Sequence, residues 1–559
     1  MVDGIIEADV AVIGGGISAL MTAVSACDAG ADVVLIDKGI PAKSGGGPVA
    51  FSVLAALIEE PDSADIFFED LRRSGQYVND PKVARALADD VAAGRVLEME
   101  KYGIIFNRLH SDELRRYKMG GHTFARDLGS FHPATITDVL LLEVMRRDIR
   151  LFSELMITKL LTYNGSVTGA VGLDSKDGSV VLVRSKSTVF AGGGGCQLFG
   201  PGILSAYTTN LIESTGDPAA IAWRAGAKLV DLEFVQFMPC NLVYPERLRG
   251  VIIGEPAAHG AILRNSKGEP FLEKYTTEGG RAPTKDVLAQ AIMREIKEGR
   301  GTEHGGVWED FTKIPDFGSL DHYPYPFEEI GINLHKDWLE VAPASHYFMG
   351  GIRINENCES SLPGLYALGE AAGGLHGANR LAGCSVASSV VFGHKAGQNA
   401  AKRAKSISTQ GVDFRQVRGE EDRLKGLAKV GKGMLPVAVK KKIQSTMWDK
   451  VGVLRNGAEL SAAIEELERI RNEDVPKMRI RTETKSFNRE WQEAVEVTNM
   501  LDVAEMVARA ALLRPESRGA HFREDYPSKD DKQWLKNVII SRAEDGSMKL
   551  TPSPVASAS

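Results

Sequence analysis

The chemistry this sequence can perform is concentrated in its glycine-rich segments. Gly14-Gly15-Gly16-Ile17-Ser18-Ala19 follows a short apolar run at 8–13 and precedes residues 20–28, which have helical spacing. A second apolar run, 32–36, ends in Asp37. That order is a βαβ dinucleotide-binding unit. Gly14 permits the tight turn, Gly16 lets the backbone approach a pyrophosphate, and Ala19 lets the helix pack closely on the strand. The helix N-terminus then faces the phosphates, and Asp37 accepts hydrogen bonds from ribose hydroxyls. The loop Lys43-Ser44-Gly45-Gly46-Gly47 suits close backbone approach to a flat ring. Residues 187–190 run into Ala191-Gly192-Gly193-Gly194-Gly195, a second strand ending in a glycine turn. Two such ends far apart in sequence predict a nucleotide domain built from separate segments.

The chain that must position these groups has 559 residues, 43% of them hydrophobic and 25% charged. That is too long for one core and predicts about three domains. Periodicity is mixed over 60–160 and weak over 235–350, where Gly, Pro and charged residues suggest an inserted domain. Residues 363–397 return to strand-then-helix order, and 415–515 are strongly helical, with apolar faces on 460–470 and 492–513. The segment after Leu550 is small and polar and is expected to be disordered. The 67 basic and 74 acidic residues leave a net charge of −7, which gives no nucleic-acid footprint. Cys27, Cys196, Cys240, Cys358 and Cys384 are scattered without a CxxC pair, so no zinc or iron–sulfur site is expected within the chain. Such cysteine usage fits a reducing compartment. Neither a signal-peptide pattern nor an apolar run of about 18 residues is present. A cytoplasmic protein is expected, reaching the inner face of a membrane only through a partner.

Further motifs carry a resemblance: Thr215-Gly216-Asp217, His346-Tyr347-Phe348-Met349-Gly350-Gly351, residues 362–370, His376-Gly377-Ala378-Asn379-Arg380-Leu381 and Glu516-Ser517-Arg518-Gly519-Ala520-His521. With the glycine motif they resemble the flavoprotein subunits of the succinate dehydrogenase/fumarate reductase family, which includes L-aspartate oxidase. The resemblance implies an α/β fold: a discontinuous Rossmann-like FAD-binding domain (1–60, 125–235 and 350–405), an inserted α+β capping domain (236–349) and a C-terminal helical domain (406–525). An extension with a disordered tail (526–559) would follow. It also implies that Gly14, Gly16, Ser18, Ala19, Asp37, Lys38, Ser44, Gly45, Gly46, Ala191, Gly192, Gly193, Asp217, Gly369, Glu370, Arg380, Ser385 and Val386 line FAD. Many members dock an iron–sulfur subunit, which would carry electrons for a chain without clusters of its own.

The chain departs from the family pattern in three places. Membrane-bound succinate dehydrogenases place a flavin-linked histidine where Gly45 stands, so FAD is expected to be non-covalent. The family clamps a dicarboxylate at both ends. One end survives as His346 and Arg380, whose guanidinium fork suits a planar carboxylate. At the other, Met238 in Gln236-Phe237-Met238-Pro239-Cys240 replaces a histidine, and Gly254-Glu255-Pro256 keeps Glu255 but lacks a threonine. His259 is a candidate replacement donor. The proton-donating arginine is absent too. Lys285, before Asp286, is the best match, with Arg281 the second choice, and an amine can donate a proton if burial lowers its pKa.

These features favour an FAD-dependent oxidoreductase acting on a C–C bond next to one carboxylate or acyl group. The alternatives are an aspartate-oxidase-like enzyme and an electron-transfer subunit with a degenerate substrate site.

Overall fold

The computed structural model describes residues 3–49, 53–56, 58–130, 133–200, 208–254, 260–275, 284–314, 327 and 331–557. The largest sheet among them orders its strands Arg150–Phe152, Val33–Ile36, Gly4–Ile13, Val180–Phe190, Ser166–Asp174 and Leu155–Tyr163. Leu365–Ala367 also pairs with Val180–Phe190. The first four strands and Leu365–Ala367 are parallel, and the last two add an antiparallel edge. Val10, Val12, Val34 and Leu35 are wholly buried, which is why these strands read as continuous apolar runs rather than alternating ones. Three regions far apart in sequence thus meet in one sheet. Their C-terminal ends lie side by side, where doubly wound sheets bind ligands.

A second sheet runs Ile252–Gly254, Val235–Tyr244, Leu339–Phe348, Val307–Asp310 and Ile262–Arg264, all antiparallel. The helix Lys285–Glu295 packs on it, and Leu242, Phe271, Leu288, Ile292 and Val341 form a cluster separate from the main core. The C-terminal third is helical: Phe414–Leu427, Pro436–Val451, Gly457–Arg469 and Arg489–Leu513. Asn456 and Asn488 cap the last two by accepting from the backbone N–H of Glu459 and Trp491. No helix among the described residues is long and apolar enough to cross a membrane.

The segment after Leu550 departs from its expected disorder. Met548–Pro554 is a strand paired with Lys536–Arg542, which in turn pairs with Leu229–Val230. Met548 and Leu550 pack against the main core, and the ladder pairs one side of the backbone of the polar residues that follow. Local composition cannot register a partner strand so distant in sequence.

Candidate active site and cofactor cleft

The strand ends open into a cleft lined by both glycine turns, Asp37 and Asp217. Gly14 has φ +127°, and a Cβ there would lie 2.3 Å from the Ala191 carbonyl oxygen, so the two glycine turns meet where no side chain fits. A Cβ on Gly16 would meet nothing within 4 Å, so this backbone borders open space. Gly16 caps the helix Ile17–Asp28 without a side-chain hydrogen bond, which leaves first-turn N–H groups for an anion. Asp37, held by the Ser44 hydroxyl, is pushed above the usual carboxylate range by burial. Glu213 also lines the cleft, with a buried Oε2 that has no hydrogen-bond partner. An unpartnered buried acceptor beside Asp37 suits sugar hydroxyl or amine donors. Glu370, also in the lining, accepts from the Phe348 N–H at 2.9 Å, and burial lifts it to about 7. Anion-binding turn, acidic end and flat glycine loop together fit FAD.

A second set of groups gathers where the cleft meets the five-stranded sheet of Val235–Tyr244 and Leu339–Phe348. The register there jumps from Gln236↔Tyr347 to Phe237↔Ser345, which leaves His346 in a bulge. Bulges re-aim side chains beside active sites. Thr209 Oγ1 lies 2.8 Å from His346 Nδ1, and Asn210 Nδ2 donates to the His346 carbonyl at 2.8 Å. Burial, then the charges of Arg380 and Lys285, hold His346 well below its ordinary pKa, so the ring is neutral. In the tautomer that carries its hydrogen on Nε2, Nδ1 accepts from Thr209 and Nε2 can donate to a carboxylate.

Arg380 is 6% exposed and lies over the Tyr347 ring at 4.9 Å. Tyr347 in turn contacts His376, with Oη 3.3 Å from Nε2. Lys285, the first residue of its helix, is 8% exposed, and its charge acts on both His346 and the buried Asp127. The adjoining Asp286 accepts from Asn379 Nδ2 at 2.8 Å, and Gln236 Nε2 donates to Asn379 Oδ1 at 2.9 Å and to the Arg380 carbonyl at 3.0 Å. That chain ties the Lys285 helix to the loop bearing Arg380. Alternation from Gln236 sends Phe237 against Phe199, with centroids 5.4 Å apart, and returns Met238 to the side of Gln236. Met238 is 2% exposed, yet it belongs to none of the hydrophobic clusters among the described residues.

Fifteen of the eighteen residues expected at FAD line the cleft. The other three do not. Ala19 is fully buried between helix and sheet, Gly369 lies against Ser18, and Arg380 stands on the His346 side. Glu255, His259 and Arg281 lie outside the described residues. Sequence reasoning missed Glu213, Thr209 and Asn210. Their one signal was a Thr-Thr-Asn run and an acid just before Thr215-Gly216-Asp217, all between glycine-rich segments.

Comparison with known proteins agrees with this geometry. A family model described as an FAD binding domain matches residues 9–386, and one described as the fumarate reductase flavoprotein C-terminus matches 440–559. The chain is 38% identical to one subunit of the fumarate reductase (CoM/CoB) of Methanothermobacter marburgensis, over 96% of this chain and 97% of that one. It is 29% identical to the fumarate reductase flavoprotein subunit of Escherichia coli, over 98% and 94%. Among solved structures, the E. coli quinol fumarate reductase superposes with a TM-score of 0.89 at 28% identity, covering 99% of this chain and 97% of that one. Adenylylsulfate reductase of Archaeoglobus fulgidus shares the fold, with a TM-score of 0.81 at 19% identity over 99% and 96%.

Proposed function

Because this chain belongs to the fumarate reductase/succinate dehydrogenase flavoprotein family, and is therefore an FAD-dependent oxidoreductase acting on CH–CH groups, we propose that its substrate carries one carboxylate beside the reacting bond and an apolar group at the other end. The asymmetry of the site carries this reading. The charges of Arg380 and Lys285 both act on His346 at one end, while the family resemblance aligns the buried Met238 with the histidine that would hold the other carboxylate. A buried carboxylate facing a thioether would lose its hydrogen bonds, at a cost of several kcal/mol.

FAD, when bound, supplies hydride exchange with the substrate carbon. Arg380 and His346 bind and orient the carboxylate, and their donors stabilise the enolate-like charge that grows on it as the neighbouring carbon changes hybridisation. Lys285 Nζ gives a proton to that carbon in reduction and takes one in oxidation. The Gln236–Asn379–Asp286 chain holds the lysine helix against the arginine loop so that both act on one substrate. FAD is held non-covalently, since Gly45 offers no side-chain atom for a covalent bond. Electrons pass through an iron–sulfur partner. Relatives named as flavoprotein subunits support this, as do five scattered cysteines with no CxxC pair to hold a cluster.

Oxidised holoenzyme titrated with dicarboxylate and one-carboxylate analogues, followed by perturbation of the flavin absorbance, tests this reading. Wild type should bind the one-carboxylate analogues more tightly. Met238→His should tighten dicarboxylate binding about tenfold or more, because a hydrogen bond to a charged group contributes about 1.5–3 kcal/mol. Tight dicarboxylate binding by wild type, unchanged in Met238→His, would sink the proposal.

A further inference from the structure

Lys38 follows Asp37 at the end of Val33–Ile36, and both residues line the cofactor cleft. The Lys38 ammonium is fully engaged by protein. Nζ lies 2.7 Å from Thr215 Oγ1, 2.6 Å from Asp217 Oδ2 and 3.3 Å from Glu496 Oε1. Glu496 comes from the helix Arg489–Leu513, is wholly buried, and does not line the cleft. Its other oxygen accepts from Lys440 at 3.1 Å and Arg489 at 3.2 Å. Almost one turn further along, Asn499 Nδ2 donates to Asp217 Oδ1 at 2.7 Å. Both oxygens of Asp217 are thereby held, one by Asn499 and the other by the lysine that Glu496 fixes.

Asp217 opens the helix Asp217–Arg224, whose Pro218 and Ile221 form part of the cleft wall. Lys38 ends a strand on another wall, so the Lys38–Asp217 pair spans two sides of the cofactor site. Burial disfavours charge on both Lys38 and Glu496. Even so, Asp217 and Glu496 hold Lys38 above its ordinary value, and Lys38, Lys440 and Arg489 bring Glu496 down to about 2. Three cations converge on one buried carboxylate. A neutral side chain there leaves them facing one another, and of the three only Lys38 lines the cleft, so its displacement against Asp217 is the one the cofactor site registers.

We propose that Glu496 and Asn499 are positioning residues for the cofactor. Through Lys38 and Asp217, the helix Arg489–Leu513 sets the spacing of the cleft walls, so FAD affinity depends on a segment that never touches the cleft. This inference concerns cofactor grip and stands whether or not the substrate reading above holds.

Full-length holoenzyme is diluted, and FAD release is followed by the fluorescence of free flavin, for Glu496→Gln, Asn499→Ala and Glu496→Gln with Lys440→Met. Glu496→Gln should weaken FAD at least tenfold and shift the visible spectrum of the bound flavin, and Asn499→Ala should weaken it several-fold. Adding Lys440→Met removes one of the opposed cations and should recover most of the loss. Should Glu496→Gln fail to fold, Asn499→Ala alone decides. FAD affinity within twofold of wild type in the folded variants, or a loss that Lys440→Met does not relieve, would overturn the proposal.

Discussion

Arg380→Gln should lower kcat/KM by about a thousandfold while leaving the protein yellow. Truncating one partner of a buried, hydrogen-bonded charge pair costs about 2–5 kcal/mol, and about 4 kcal/mol corresponds to a thousandfold. Glutamine keeps much of the packing over Tyr347 but removes both the charge and the fork. Arg380→Lys restores the charge without the planar geometry and should recover only part of the loss. Arg380 does not line the cofactor cleft, so flavin content should be unchanged in both variants. The loss should appear in kcat as well as KM, because the charge on the carboxylate grows towards the transition state. Loss of flavin in Arg380→Gln, with normal kinetics per remaining flavin, would place the arginine on the cofactor instead.

Lys285→Met should be the second large effect, lowering kcat by about 10²–10⁴-fold, the usual contribution of a positioned acid or base. Methionine keeps the length and packing of this buried position, so binding of a carboxylate inhibitor should change little. Lys285→Arg should retain measurable turnover, since arginine does this work in the family that the chain resembles. In the shortened Lys285→Ala, a small primary amine in the buffer should restore part of the rate by occupying the space left behind. Full activity in Lys285→Met would remove the lysine from the mechanism and make Arg281 the next residue to replace.

How much of the molecule is legible in the sequence follows from how local each signal is. The glycine turn, its strand and its helix are contiguous, so Gly14, Gly16 and Asp37 can be named from the sequence, and the structure brings them to one cleft. Asp37 and Glu213 adjoin only after folding, and an isolated glutamate carries no mark of a cofactor wall. Lys38 reads as a cofactor residue from its place after Asp37. Its ammonium instead meets Glu496, 458 positions along the chain, a pairing that no periodicity reveals. The bulge at His346 depends on the register between two strands about a hundred residues apart, so the histidine can be named but not aimed. The residues after Leu550 read as disordered because their composition is small and polar, yet those up to Pro554 continue a strand, which needs a partner ladder more than it needs apolar residues.

The most direct test of the account is single-turnover reoxidation. Holoenzyme is reduced anaerobically and mixed rapidly with fumarate or with an enoate bearing one carboxylate, and the return of the flavin absorbance is timed. An asymmetric site predicts rapid reoxidation by a one-carboxylate enoate, slow reoxidation by fumarate, and loss of the fast phase in Lys285→Met. Fast reoxidation by fumarate, with none by the one-carboxylate acceptors, would contradict it and return this chain to dicarboxylate chemistry despite Met238.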